Sequence, residues 1–207
     1  MVSGFFIHLF DTTWCPFLLP PSQKCKHSET TMYSKIKSMG HPIHPMLVAF
    51  PLGLLITSII FDSIHWITGN GYWSEIAFWM IAVGTIGGIM AAIVGTIDWL
   101  GIPSGTRAKR VGILHGAGNY LILALFVVSG LLRLNAPGNP SIAAYVLSFL
   151  GAAMLGATGW LGGELTLRMG IGVDEGANLN APSTLSGLPA SSEVSPSSSA
   201  GKKPAVG

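Results

Sequence analysis

The sequence predicts an all-α integral membrane protein, a four-helix bundle with both termini in the cytoplasm. Of its 207 residues, 49% are apolar and only 10% are Asp, Glu, Lys or Arg, whereas soluble domains carry about 25% charged residues. Charges are sparsest in the middle, since residues 38–173 hold nine and the remaining 71 positions hold eleven. A net charge of +2, with no basic run longer than Lys202-Lys203, excludes an ordinary nucleic-acid-binding surface.

The first segment, residues 1–35, is interpreted as a disordered extension or a mis-assigned start. Its first ten residues contain no Lys or Arg, which is atypical of a signal peptide. Met32 begins a short basic stretch and is the expected true start. Cys15 and Cys25 lie ten positions apart before the first apolar segment. This spacing excludes a CxxC motif, and a disulfide between them stays open.

Four segments are long and apolar enough to cross a bilayer, which takes about 20 residues. They are residues 45–67, 75–99, 111–133 and 142–164. Lys and Arg in the short flanks fall almost entirely on one side, which predicts a multi-pass protein of the inner (plasma) membrane with both termini inside. The cations of that side are Lys35, Lys37, Arg107, Lys109, Arg110 and Arg168, against Arg133 alone on the other side. Residues 174–207 are rich in Ser, Pro, Ala and Gly and are predicted to be a disordered tail.

Small residues recur four positions apart in three of the predicted helices, which favours close helix packing. The pairs are Gly84 and Gly88, Gly112 and Gly116, and Gly159 and Gly163. The sequence also contains a faint internal echo. His44 and His115 open the first and third helices, and a Trp-Leu-Gly triplet ends the second and fourth. A duplicated helical hairpin with its axis along the membrane normal would explain the echo.

The predicted topology places several ionisable residues at the cytoplasmic ends of the helices. They are His41, His44, Asp98, His115 and Glu164. Ionisable groups at membrane depth are costly and by default indicate a functional site or a buried partner. Imidazole and carboxylate groups together form a suitable ligand set for a divalent transition metal. The alternative is structural, with Glu164 pairing with Arg168 on its own helix and Asp98 lying in the headgroup region.

A second, smaller candidate site lies at the opposite face of the membrane. Asp62 and His65 are three positions apart on the first helix, so their side chains share one side of it. They are candidate ligands of a second metal. The alternative is that the Asp62 carboxylate simply pairs with the neighbouring imidazole.

Three motifs carry a resemblance to a known family. They are Gly40-His-Pro-Ile-His-Pro-Met-Leu-Val-Ala-Phe-Pro-Leu-Gly53, Gly95-Thr-Ile-Asp98 and Gly162-Gly-Glu-Leu-Thr-Leu-Arg-Met-Gly-Ile-Gly-Val173. With Asp62 and His115, they resemble the predicted four-span membrane proteins of domain-of-unknown-function family 2231, over roughly residues 36–173. The resemblance implies a four-span fold and no particular activity. The family's last motif often has a tyrosine and a histidine where this sequence has Leu167 and Met169.

The leading functional hypothesis is a membrane redox protein that binds haem b or a divalent metal. His44 or His41, together with His115, would be the ligands, and Asp98 and Glu164 would accept hydrogen bonds from the imidazoles. A proton or ion transporter is the second hypothesis, with Asp62 and His65 at one end of the path and the cytoplasmic-side cluster at the other. A non-catalytic scaffold or subunit is the third. The expected partners are the lipid bilayer and a membrane redox protein or a second copy of the chain. No hydrolase or transferase motif is present, which disfavours a classical enzyme.

Overall fold

The computed structural model describes residues 36–193, in which a short hairpin precedes four long helices. The strands are β1 (Lys37–Ser38) and β2 (His41–Pro42), and the helices are α1 (Ile43–Thr68), α2 (Gly71–Leu100), α3 (Arg107–Arg133) and α4 (Ile142–Gly163). A π-helical turn, Glu164–Arg168, continues α4. The predicted start at Met32, the two cysteines and the end of the predicted tail lie outside the described residues.

All four helices are long and apolar enough to cross a membrane, in agreement with the four predicted spans. Helices α2 and α3 begin about four residues before the predicted spans, because polar caps set their starts. The side chain of Asn70 accepts a hydrogen bond from the backbone N–H of Tyr72 at 3.1 Å. Thr106 accepts one from the N–H of Lys109 at 3.1 Å. Apolar content alone does not mark these positions.

The β1–β2 hairpin lies at the end of the bundle where α1 begins. Met39 and Gly40 form its turn with φ angles of 50° and 84°, the conformation of a type I′ hairpin turn. The backbone N–H of Ile36 donates to the Asp98 carboxylate at the end of α2. Lys37 forms an ion pair of 2.6 Å with Asp174. The hairpin is therefore joined both to the bundle and to the segment that follows α4.

The helices pack as two hairpins, α1 on α2 and α3 on α4. Helices α2 and α3 join the two hairpins, whereas α1 and α4 contact each other little. Leu55, Ile81, Ile122 and Phe126 form a buried apolar core between the hairpins. The four helices thus form a bundle with one loose seam, between α1 and α4.

The two hairpins make the same contacts, which supports the predicted duplication. A Cβ built on Gly84 of α2 would lie 3.0 Å from Leu55 of α1, and one built on Gly151 of α4 would lie 2.9 Å from Phe126 of α3. Positions of α1 and α3 correspond at an offset of 71 residues, and those of α2 and α4 at an offset of 67. The Trp-Leu-Gly triplets, 61 residues apart, are therefore the wrong register for aligning α2 with α4.

Residues 174–193 follow the bundle as turns and irregular backbone, with one short 3-10 helix at Thr184–Ser186. Their predicted disorder stays a prediction.

Candidate functional site

Two histidines from different hairpins come together at the end of the bundle that carries the β1–β2 hairpin. His44 lies in the first turn of α1, and His115 lies two turns into α3. Their ring centroids are 6.5 Å apart and their planes are perpendicular. The two positions correspond under the offset of 71, so equivalent residues of the two hairpins come together here.

Each imidazole is held by a backbone carbonyl of the partner helix in its own hairpin. His44 Nδ1 lies 2.9 Å from the carbonyl oxygen of Ala91, and His115 Nδ1 lies 2.9 Å from that of Thr158. Because a carbonyl oxygen only accepts, each Nδ1 carries the proton and donates it. Neutral imidazole then leaves its lone pair on Nε2, the nitrogen available to a metal or to a hydrogen-bond donor.

Glycines make room for both rings at equivalent positions of α2 and α4. A Cβ built on Gly95 would lie 2.6 Å from Cε1 of His44, and one built on Gly162 would lie 3.1 Å from Cε1 of His115. Gly95 and Gly162 correspond under the offset of 67. Neither helix could approach its histidine this closely with a larger residue there.

Asn119 is a polar neighbour of the pair that the sequence patterns did not single out. Its amide nitrogen lies 3.2 Å from Nε2 of His115 and donates to the backbone carbonyl of that histidine at 2.9 Å. The bond to Nε2 is the longer of the two. A stronger ligand for Nε2 could therefore replace it while Asn119 keeps its backbone partner.

A cavity of about 670 Å³ surrounds the two histidines, and all four helices line it. This volume falls within the range of about 300–1,000 Å³ that is typical of small-molecule sites. Gly116 and Gly159 line the cavity, and a Cβ on either would meet no atom within 4 Å. Of the predicted packing glycines, Gly88 and Gly112 do meet side chains closely. Gly116 and Gly159 instead leave space open in the cavity.

The other predicted ligands of this end do not join the histidine pair. His41 is exposed and its Nδ1 lies 3.3 Å from the Met39 carbonyl. Glu164 pairs with Arg107 at 3.2 Å, rather than with Arg168 as the structural alternative had it. Asp98, which also lines the cavity, accepts from the backbone of Ile36.

No three His, Cys, Asp or Glu side chains within residues 36–193 are arranged to hold a metal ion. Backbone carbonyls, and not Asp98 or Glu164, orient the two imidazoles. Met169, the other residue of the last motif with a potential ligand atom, packs against Ile102, Ala108 and Leu165.

At the opposite end of the bundle, Asp62 forms a buried ion pair with Arg133. Nη1 and Nη2 of Arg133 donate to the two carboxylate oxygens of Asp62 at 2.8 and 2.7 Å. Both side chains are 0% exposed. This bidentate geometry is the strongest arrangement of the two groups.

Hydroxyl groups from three helices surround this ion pair. Ser74 of α2, Ser129 of α3 and Ser148 of α4 lie 3.3–3.4 Å from the guanidinium nitrogens of Arg133. Tyr145 of α4 lies under the guanidinium at 4.9 Å and its hydroxyl lies 3.2 Å from that of Ser74. The network joins all four helices. A charge pair can lie at membrane depth when its polar groups have hydrogen-bond partners, as they do here.

His65 is not part of this ion pair. Its Nδ1 lies 3.0 Å from the carbonyl of Asn70, and its ring stacks on Tyr145. The alternative prediction, that Asp62 pairs with His65, is therefore wrong, because the Asp62 carboxylate accepts its hydrogen bonds from Arg133 and Ser74.

A family model described as a predicted membrane protein, DUF2231, matches residues 40–175. The match covers more than half of the chain. The chain belongs to the DUF2231 family. The resemblance noted in the histidine-proline motif is thereby confirmed. No curated protein and no solved structure matches the chain.

The DUF2231 region includes Arg133. Its positive charge entered the sequence-based predictions only through the count of cations that flank the helices, and its pairing with Asp62 was missed. The spacing between each histidine and the charged residue that follows it would have indicated this pairing. Asp62 follows His44 by eighteen positions, and Arg133 follows His115 by the same number. Aligning the hairpins on the histidines would have placed the two opposite charges at equivalent depth. Aligning the hairpins of the DUF2231 chain on their Trp-Leu-Gly triplets hides the equivalence of Asp62 and Arg133.

Proposed function

We propose that this membrane protein is a redox protein that holds haem b in the histidine-lined cavity, with His44 and His115 as the two axial ligands. The observation that carries the proposal is the geometry of the pair. Two imidazoles that bind one metal through their outer nitrogens, at about 2 Å each, place their ring centroids roughly 6 Å apart. The observed separation is 6.5 Å.

Haem fits these residues better than a bare metal ion does. A divalent ion such as zinc takes three or four protein ligands, and within residues 36–193 not even three potential ligands converge. Haem iron needs only axial ligands from the protein, because the macrocycle supplies the rest. His41, Asp98 and Glu164 are therefore not needed as ligands in this proposal.

The chain's own groups prepare the two imidazoles for iron. The carbonyls of Ala91 and Thr158 hold Nδ1–H, which fixes the tautomer and raises the electron density at Nε2. Gly116 and Gly159 leave open space in the cavity for a flat macrocycle. Bound haem would supply one-electron transfer, with the surrounding apolar side chains keeping water from the site.

The charges support an orientation with this site at the cytoplasmic side of the inner membrane. Arg107, Lys109 and Arg110 lie at the start of α3, at the same end as the histidines. Arg133, the cation predicted for the other side, is buried and neutralised by Asp62. The positive-inside rule then favours cytoplasmic termini more strongly than the sequence count did. The proposal also includes a second redox protein of the same membrane as the partner of this site.

Transport is the less favoured alternative. Asp62, the only carboxylate within the apolar part of a described span, is held by two short hydrogen bonds to Arg133. A carboxylate that binds and releases a proton or an ion has to leave such a partner. A scaffold role is the reading that remains if no chromophore is found.

The test is the visible spectrum of the full-length protein, purified in mild detergent after expression with ample haem and recorded oxidised and after dithionite reduction. We expect sharp reduced bands at one haem per chain, lost in His44→Ala and in His115→Ala. His65→Ala is the matched control, because its imidazole lies at the other end of the bundle. A colourless wild-type protein would overturn the proposal, as would a haem spectrum that both histidine variants retain.

A further inference from the structure

The two seams that join the hairpins are equivalent under the internal repeat, but they differ in packing. At the α2–α3 seam, Leu123 fits against Gly88, and a Cβ built on Gly88 would lie 2.5 Å from its Cδ2 atom. The equivalent positions at the α1–α4 seam are Leu52 and Leu155. Both leucines line the space between these two helices, and neither offers the gap into which the other could fit. Helices α1 and α4 are held apart as a result.

A hydrogen bond that closes the first seam is also missing from the second. Thr96 of α2 and Tyr120 of α3 share a hydrogen bond of 2.8 Å between their hydroxyl groups. The equivalent residues are Gly163 of α4 and Ala49 of α1, which have no hydroxyl group. Both differences loosen the same seam, which accounts for the slight contact between α1 and α4.

The loose seam forms a groove of about 480 Å³ that adjoins the histidine cavity. Its walls are apolar and come from α1 and α4, including Ile56, Ile59 and Gly156. Leu52, Leu155 and Gly159 line both the groove and the cavity. The groove lies along the membrane-spanning length of both helices, where hydrocarbon chains are the solvent.

The end of the cavity nearest the aqueous phase is covered by other parts of the chain. Pro42 from the β1–β2 hairpin and Ile171 and Gly172 from the segment after α4 line the cavity there. The ion pair between Lys37 and Asp174 holds these two segments together. These segments therefore cover the cavity on the aqueous side, whereas the groove adjoins it on the side of α1 and α4.

We propose that the α1–α4 groove is a side entrance through which a hydrocarbon chain from the bilayer reaches the histidine cavity. The ligand class that this entrance admits is lipid-soluble, an apolar molecule dissolved in the membrane rather than a water-soluble metabolite. The inference rests on the proposed function only in treating the cavity as the ligand site. It does not depend on the ligand being haem.

The experiment uses full-length protein in vesicles of phosphatidylcholine with a diazirine on one acyl chain. The protein is prepared without added haem. Photolysis and mass spectrometry then locate the adducts. We expect adducts at His115 and Asn119, which line the cavity and are half-buried, besides those at the exposed Trp79. Gly156→Leu adds a side chain to the wall of the groove, at a position where a Cβ meets no atom within 4 Å. This variant should lose the cavity adducts and keep that of Trp79.

Gly53→Leu is the matched control. Gly53 is an exposed helical glycine with equally open surroundings, and it lines neither space. Its adducts should match those of the wild-type protein, including the cavity adducts. Adducts confined to the outer faces of wild-type protein would overturn the side entrance, as would cavity adducts that survive Gly156→Leu. A colourless spectrum would remove only the haem proposal and leave this result intact.

Discussion

Asp62 and Arg133 occupy equivalent positions of the two helical hairpins, yet they carry opposite charges and bind each other. Each lies eighteen positions after the histidine of its hairpin and four positions after a buried serine, Ser58 or Ser129. A symmetric pair of identical hairpins would have placed two like charges together at this point. The opposite charges make the first hairpin complementary to the second and not to a copy of itself.

This complementarity predicts the outcome of reversing the charges. Asp62→Arg or Arg133→Asp alone leaves two like charges buried, and we expect each to lower the free energy of unfolding by at least the roughly 3–5 kcal/mol lost on breaking a buried ion pair. The double variant should recover most of this loss, because an arginine at position 62 finds Ser58 where Arg133 has Ser129. Unfolding in mixed detergent micelles measures the difference. No recovery in the double variant would contradict the equivalence of the two sites.

The serines of the same layer give a second prediction. Ser74 is fully buried and its hydroxyl contacts Asp62, Arg133 and Tyr145. Ser74→Ala should destabilise the protein by about 1–3 kcal/mol, since it removes a partner of buried charged groups. Ser58→Ala is the matched control, because this equally buried serine bonds to the Leu55 carbonyl of its own helix. Equal losses in the two variants would show that the polar network contributes nothing beyond helix packing.

The sequence predicted the fold well because hydrophobic length dominates in a membrane. The four apolar segments matched the four helices, and only capping residues such as Asn70 and Thr106 moved their starts. Positions of the ends depend on single hydrogen bonds that an average over a window does not register.

The site was predicted only in part, for a reason that lies in helix rotation. Placing residues at one depth grouped Glu164 with His44 and His115, whose rings lie 6.5 Å apart in the structure. Depth does not say which way a side chain points around its helix. Glu164 instead meets Arg107. The carbonyls that hold the imidazoles belong to Ala91 and Thr158, whose side chains gave no chemical signal at all.

The glycines beside the imidazoles give a third prediction. Gly95→Ala places a methyl group 2.6 Å from the His44 ring, and Gly162→Ala places one 3.1 Å from the His115 ring. The rings must shift, so we expect Gly95→Ala to remove most of the bound haem and Gly162→Ala to reduce it less. Haem content per chain, read from the reduced spectrum, measures this order. Gly53→Ala, at an exposed glycine that meets open space and does not line the cavity, should retain full haem, and a loss there equal to that of Gly95→Ala would contradict this expectation.

The orientation gives the last prediction, which follows from neutralising Arg133. With that cation paired and buried, the exposed basic residues of the described helices, such as Arg107 and Arg168, lie at the histidine end, and this end should face the cytoplasm. Single cysteines at the exposed Ser104 and Asn139, in a background with Cys15→Ser and Cys25→Ser, report the two ends. A membrane-impermeant maleimide added to intact cells, with the outer membrane permeabilised where there is one, should label Asn139→Cys and spare Ser104→Cys until the cells are lysed. The reverse pattern would place the histidine pair at the outer face, and any redox partner would then have to meet it there.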